Sequence, residues 1–311
     1  MAVVDDMNPL ISVDWGTSNL RAALVNDQGN IIEQVTSDQG LLSKPTDFAA
    51  CLRDLIQPWL DRSPKISTVL SGMVGSPGGW MEVPHVACPA NPGSLAAGAK
   101  TIDGFGHGGA WILPGVAGKG SAGLHEVMRG EEVQFFGAQQ IFRAQGQPLP
   151  QCWCFPGTHH TWLSAGSDIT DFSTSMVGEF FQLAQRHSLL SQSLAIQSPS
   201  ENKADTDDDF LRGLATSQQP GGLLHHLFSV RTLQLSGAHR KAQGSAYLSG
   251  ILVGHDIASQ TLKSGSSIGI VAGPDLASRY QLALEELGYD WVIVDSQQAT
   301  AQGALLVAKH L

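Results

Sequence analysis

Two stretches of the chain pair a glycine with hydroxyl side chains inside a tight strand–turn–strand pattern. They are VDWGTSNLRAAL at 13–24 and FPGTHHTWL at 155–163. In the first, an apolar run ends in Asp14, and Gly16, Thr17, Ser18 and Asn19 follow at once. In the second, Gly157, Thr158 and His159 occupy the turn. Such turns gather backbone N–H and side-chain O–H groups in one concave spot, which binds anions. Glycine lets the backbone approach them closely. A carboxylate placed there suits Mg2+, a hard cation that prefers oxygen ligands. Taken singly, each turn also reads as an ordinary β-turn, where Gly, Thr, Ser and Asn are common. The recurrence, and an acid at the end of a buried strand, favour two grips on one polyphosphate.

Three other patterns fail on context. GKGSAG at 118–123 satisfies G-x-G-x-x-G, but no long helix follows it, as a dinucleotide site requires; it reads as a flexible loop. GSSIG at 265–269 satisfies G-x-S-x-G with a helix before it and a strand after, the reverse of a nucleophile elbow. The pairs His159-His160 and His225-His226 are adjacent, and neighbours on a strand point apart, so neither pair makes a good chelate.

The elements that must carry these residues follow from periodicity. Strands are expected at 10–14, 19–26 and 31–36, with hairpin chemistry at Asp27-Gln28-Gly29-Asn30. An amphipathic helix is expected at 48–60, a buried strand at 66–70, loops over 84–110 and a short strand at 110–113. Residues 151–174 then repeat the opening grammar of strand, turn, strand, turn, strand, which points to a duplicated domain. Helices at 176–190, 208–215, 222–232 and 244–260, a strand at 267–272, a helix at 276–287, a strand at 291–294 and a helix from 299 complete the reading. The domains expected are 1–148 and 149–311. The acidic stretch 201–209 reads as a solvated helix start, since acids suit a helix N-terminus.

With 311 residues the chain is long enough for two domains. A net charge of −10 argues against nucleic-acid binding, which needs a basic face. The opening MAVVDDMNPL lacks the pattern of a signal peptide, and no apolar run is long enough to span a membrane. The four cysteines, Cys51, Cys88, Cys152 and Cys154, form neither a disulfide framework nor a zinc spacing. A reducing cytoplasm is the expected setting.

DWGTSNLRAAL resembles the first phosphate motif of the sugar kinase, heat-shock protein 70 and actin superfamily. SGMVGSPGGW (71–80), VMRGEEVQFFGA (127–138), FPGTHHTWL, GEFFQLAQRHSLL (178–190) and VAGPDLASRYQLALEELG (271–288) resemble one family within it, the 2-dehydro-3-deoxygalactonokinases. The resemblance implies an α/β fold of two ribonuclease-H-like domains with the nucleotide in the cleft between them. It implies ATP and Mg2+ as cofactors and phosphorylation of the 6-hydroxyl of 2-dehydro-3-deoxy-D-galactonate. Gly16 to Asn19 and Gly157 to His159 then meet phosphate, Gly273 lies in the adenosine loop, and Asp14 organises the metal.

Phosphoryl transfer also asks for a carboxylate that accepts the hydroxyl proton. Glu131, at the loop-to-helix junction of MRGEE, is the candidate, with Glu132 as the alternative; either acid could instead complement the helix dipole. Arg129 could clamp the substrate carboxylate or form a surface ion pair. Met73, Gly75, Ser76 and Trp80 supply a Gly-rich turn, a hydroxyl and an apolar wall for a small sugar acid, or a purely structural loop. His125, Ser121 and Arg21 are weaker candidates. One departure stands out: relatives often carry Lys where this chain has Thr161. The partners implied are small molecules, without nucleic acid or membrane, and a homodimer is left open. A same-superfamily kinase for another sugar and a catalytically silent nucleotide-binding regulator are the competing readings.

Overall fold

The computed structural model describes residues 9–120, 123–164, 166–194 and 203–311. Residues 1–8, Ser121 and the beginning of the acidic stretch at Glu201 lie outside the described residues. The chain forms two compact units. One comprises the chain up to Leu149 with Leu163–Ser173 and Val294–Leu311; the other comprises Pro150–Trp162 and Thr174–Ile293.

In the first unit, β1 (Leu10–Trp15), β2 (Leu20–Val25) and β3 (Ile31–Ser37) form an antiparallel meander. Then follow α1 (Phe48–Arg62), β4 (Ser67–Gly72), β5 (Val86–Ala87), α2 (Pro92–Gly98), β6 (Lys100–Thr101), β7 (Ala110–Ile112), β8 (Val116–Lys119), β9 (His125–Met128) and α3 (Glu131–Ala144). The main sheet has the order β3-β2-β1-β4-β7-β6. β4 runs parallel to both β1 and β7. Asp47 caps α1 by accepting the Ala50 N–H, and Leu52, Ile56 and Trp59 of that helix bury against Ile11, Val13 and Trp15 of β1.

Further along lie β10 (Cys152–Phe155), β11 (His160–Ser164), β12 (Phe172–Ser175), α4 (Val177–His187), α5 (Lys203–Ser217), α6 (Gly222–Leu235), α7 (Lys241–Ala258), β13 (Ser267–Ala272), α8 (Pro274–Glu286), β14 (Asp290–Asp295) and α9 (Ser296–Ala308). The second sheet has the order β12-β11-β10-β13-β14, with β10 parallel to β13. That is the order of β3-β2-β1-β4-β7 again, so the repeated sequence grammar is a repeated sheet.

Three details differ from the periodicity reading. The last helix, α9, packs with the first unit, where a single break at 148/149 would place it in the second domain. Its contact with α3 is a glycine–glycine approach: a Cβ on Gly137 would fall 1.7 Å from the Ala299 carbonyl oxygen, and one on Gly303 would fall 1.9 Å from that of Val133. Within the expected loop of 84–110, α2 forms behind a capping box between Asn91 and Ser94. GKGSAG is not simply a flexible loop either, since Gly118 and Lys119 end β8, which pairs antiparallel with β9. The alternation that marks a strand is hidden there by small residues.

Candidate active site

β1 and β4 are parallel neighbours with Trp15 opposite Gly72, so both strands end at the same edge of the sheet. Open α/β sheets bind ligands at such carboxyl ends. Gly72 has φ +88, and a Cβ there would lie 2.8 Å from the Trp15 carbonyl oxygen and 3.2 Å from Asp14 Oδ1. A side chain at position 72 would therefore crowd the Asp14 carboxylate. Gly130, with φ +114, sits against Gly72: its Cβ would lie 3.6 Å from the Gly72 Cα. Gly130 is also the N-cap of α3, so Glu131 starts its helix at this same strand edge. Asp14, Gly72, Gly130 and Glu131 are thus brought together, as the spacing of the motifs alone could not say.

Asp14 lies 3.4 Å from Arg21 Nη1, its cross-strand neighbour. Burial pushes the Asp14 carboxyl above the usual carboxylate range, and Arg21 pulls it partly back. Arg21 is thus engaged in an ion pair with Asp14. Beside Asp14 the turn is braced from outside. The N–H groups of Leu41 and Leu42 take the carbonyls of Gly16 and Thr17, and Gly16 N–H closes on the Asn19 carbonyl. Gly40 must be glycine for this, because a Cβ there would fall 2.3 Å from the Ser18 carbonyl carbon. Thr17, Ser18 and Asn19 remain half-buried or exposed.

The two acids of MRGEE behave differently. Glu131 is half-buried and accepts the Arg129 N–H at 3.1 Å. Glu132 is fully buried, accepts the Gly130 N–H at 2.7 Å, and leaves Oε1 without a partner among the described residues. Burial, then the neighbouring Glu131, push the Glu132 carboxyl up to about 8. Arg129 turns inward: Nη2 donates to the Val83 carbonyl at 2.8 Å and approaches His85 Nε2 at 3.3 Å. Its Nη1 is buried over Gly75 without a partner among the described residues. Burial, opposed by Glu132 and Glu82, lowers the Arg129 value; burial and then Arg129 lower that of His85. Gly130 sits at the loop-to-helix junction expected from MRGEE, whereas nothing local in the sequence marks Val83, His85 or Gly72 as part of this site.

The Gly-rich loop is more inward-facing than a pocket wall. Met73 and Gly75 bound a short 3-10 turn, and Ser76 donates its hydroxyl to the Met73 carbonyl at 2.7 Å. Trp80 stacks on Phe48 at 6.2 Å and meets Phe105 edge-on at 5.5 Å. Met73 stays half-buried. His125, in β9, is exposed.

The second hairpin is braced by a helix. Glu179 in the first turn of α4 donates its N–H to the Thr158 carbonyl at 2.8 Å, and its carboxylate meets His159 Nε2 at 2.7 Å. A Cβ on Gly178 would fall 2.2 Å from the Gly157 carbonyl oxygen. His159 is exposed and His160 buried, so the adjacent histidines do point apart. Thr161 is buried, with Oγ1 3.3 Å from Thr174 Oγ1, which makes it a sheet-packing residue. Gly273 is the N-cap of α8, and a Cβ there would meet nothing within 4 Å, so the space over it is open.

Among the described residues no group of three or more His, Cys, Asp or Glu side chains could hold a metal ion by itself. A lone carboxylate such as Asp14 still fits Mg2+, which keeps several waters and binds through one or two carboxylates plus phosphate oxygens.

The sequence model of the 2-keto-3-deoxy-galactonokinase family matches residues 14–307. The chain belongs to that family. It is 33% identical over 302 residues to the 2-dehydro-3-deoxygalactonokinase of Escherichia coli (strain K12), covering 96% of this chain and 97% of the relative. It is 31% identical over 311 residues to a protein of Rhizobium meliloti (strain 1021) named as a probable 2-dehydro-3-deoxygalactonokinase, covering 96% of each. A crystal structure from Sinorhizobium meliloti, described provisionally as the same enzyme, is similar at TM-score 0.80 and 30% identity over 96% of this chain and 98% of that one. The activator of 2-hydroxyisocaproyl-CoA dehydratase from Clostridium difficile, with bound ADPNP, matches at TM-score 0.51 and 10% identity over 97% of this chain and 95% of that one. The fold of this galactonokinase-family chain is accordingly the α/β, ribonuclease-H-like fold of actin-like ATPases and sugar kinases. No helix among its described residues is long and apolar enough to cross a membrane.

Proposed function

We propose that the chain transfers the γ-phosphoryl group of ATP to the 6-hydroxyl of 2-dehydro-3-deoxy-D-galactonate, giving 2-dehydro-3-deoxy-6-phosphogalactonate and ADP in D-galactonate catabolism. Family membership over residues 14–307 carries the reading. The meeting of Asp14 and Glu131 at one strand edge gives it a mechanism.

In that mechanism the 6-hydroxyl oxygen bonds to the γ-phosphorus while the bond to the bridging oxygen of ADP breaks. Glu131 accepts the hydroxyl proton; its Oε2 already holds the Arg129 N–H, which fixes the carboxylate. The donors of Thr17, Ser18, Asn19, Gly157, Thr158 and His159 receive phosphate oxygens. Braced backbones keep them in place without reorganisation, which is what charge stabilisation requires. Asp14 would hold Mg2+, which neutralises charge on the phosphates. Arg129 offers its orphan Nη1 to the substrate carboxylate; a buried N–H left unmatched is costly until such an acceptor arrives. Met73, Gly75, Ser76 and Trp80 shape the sugar-acid pocket, the last two by holding the loop from within. Open space over Gly273 supports adenosine there. Residues 1–148 and 149–311 correspond, in this reading, to the two ribonuclease-H-like domains, with α9 returning to the first. Four free cysteines favour a cytoplasmic setting.

A panel of sugar acids and neutral sugars, read by coupled ADP release with ATP and Mg2+, tests the proposal. Turnover should be strongest on 2-dehydro-3-deoxy-D-galactonate. Turnover confined to a neutral sugar would reassign the substrate, and ATP binding with no acceptor phosphorylated would point to a regulator.

A further inference from the structure

Asp256 is a lone acid in the apolar run ILVGHDIA of α7, and its side chain is wholly buried. Its Oδ1 accepts the Ser175 hydroxyl at 2.6 Å. Its Oδ2 accepts the indole N–H of Trp162 at 3.0 Å and the Tyr280 hydroxyl at 2.5 Å. His160 Nδ1 lies 3.4 Å from Oδ2 and also contacts the Tyr280 hydroxyl. Tyr280 donates to the carboxylate, and His160 Nδ1 faces both that carboxylate and the tyrosine oxygen, so its N–H is shared between them. Burial alone would push the Asp256 carboxyl up, but the donors from His160, Ser175 and Tyr280 outweigh it and hold the group below its usual value. The side chain is therefore a buried anion, stable only while its donors surround it.

The donors mark three places the proposed nucleotide site depends on. His160 opens β11 directly after His159 of the second hairpin. Ser175 ends β12, just ahead of α4, whose Gly178 and Glu179 buttress that hairpin. Tyr280 lies on α8, the helix capped by Gly273. Nothing in the phosphoryl-transfer scheme uses this carboxylate, yet it ties all three together.

We infer that Asp256 is a positioning residue for the nucleotide: one buried carboxylate sets the second phosphate hairpin, its helical buttress and the loop at Gly273 relative to one another. The inference rests on the reading that positions 157–159 and 273 meet ATP. It goes beyond that reading by making nucleotide affinity, and not sugar-acid affinity, depend on a residue that touches neither ligand.

Calorimetry with the Mg2+ complex of a non-hydrolysable ATP analogue, and separately with the sugar acid, tests it on the full chain alongside thermal melting. Asp256→Asn should weaken the nucleotide about tenfold, and Tyr280→Phe and Ser175→Ala about threefold each, the scale of losing hydrogen bonds to a buried charge. Sugar-acid affinity should stay at the parent's value in all three. Folded variants that bind nucleotide as the parent does would overturn the inference, and so would equal losses for both ligands, which mark a general structural role. If Asp256→Asn does not fold, the two milder variants decide by the same outcomes. A parent that binds the sugar acid but no nucleotide would bring down the underlying reading together with the inference; a parent that binds both, with variants unchanged, brings down the inference alone.

Discussion

The two Gly-Thr hairpins occupy the same place in their sheets, each leading from a strand whose other neighbour is parallel to it. Counted from the shared Gly-Thr, Asp14 of the first is matched by Phe155 of the second, and Arg21 by Trp162. The first hairpin leans on a loop, through Gly40, Leu41 and Leu42; the second leans on the N-terminal turn of α4. The two turns keep the Gly-Thr pair, while the residues flanking it have diverged. In the proposed scheme one metal needs one carboxylate at the turn, and the largely buried Asp14 supplies it. In the second unit the corresponding tip is apolar and the acid sits deep, at Asp256, where it can organise but not coordinate.

The sharpest way to break this contrast is at the proposed base. Glu131→Gln should lower kcat by on the order of 10² to 10⁴ with nucleotide affinity intact; full loss in Glu132→Gln with an active Glu131→Gln would shift the role to the other acid. Next comes the metal. Asp14→Asn should raise the Mg2+ concentration for half-maximal rate by on the order of tenfold, about the worth of one hydrogen bond, while Phe155→Ala should leave that titration in place. An Asp14→Asn enzyme with the parent's Mg2+ curve removes the acid from the metal.

Smaller effects belong to the braces. Gly40→Ala and Gly178→Ala each force a methyl against hairpin backbone, so each should cost about 1–3 kcal/mol of stability and raise KM for ATP more than KM for the sugar acid. Unequal responses would show which hairpin is the stiffer support. The smallest effect is a slope with pH. Glu132 holds its proton up to about 8, well above its usual 4.5. The folded chain therefore binds a proton that the unfolded chain has released, and stability falls as pH rises between those values. Glu132→Gln keeps an acceptor for the Gly130 N–H and should flatten that part of the melting-temperature profile, gaining most near its alkaline end. An unchanged profile would mean that Glu132 is ionised in the fold.

Strand ends and turns were legible because glycine, hydroxyls and a terminal acid are local signals. Ser267–Ala272 lies where its apolar run predicts a strand, and α1 starts at the expected Phe48. Side-chain direction was not legible. Ser76 and Trp80 look like pocket residues in a Gly-rich loop, yet the turn claims the hydroxyl and the aromatic cluster holds the ring. Glu131 and Glu132 are alike in sequence, and only the tertiary packing of α3 buries the second. Arg129 could not be seen to turn inward, because its acceptor, Val83, is remote in the chain. Asp256 did leave a trace: a single acid in an apolar helical run asks for buried donors.

The close approach of Gly137 and Gly303 has a consequence for how the protein is made. The helix that carries the proposed base is seated against α9, and α9 follows the entire second unit in the chain. During synthesis α3 leaves the ribosome long before its partner exists. The first unit cannot complete its packing until residue 308 has emerged, so the second unit has the chance to fold first, as an insertion within an unfinished host. A truncation that removes α9 should leave the segment from 174 to 293 better protected from proteolysis than the part that begins with VDWGTS.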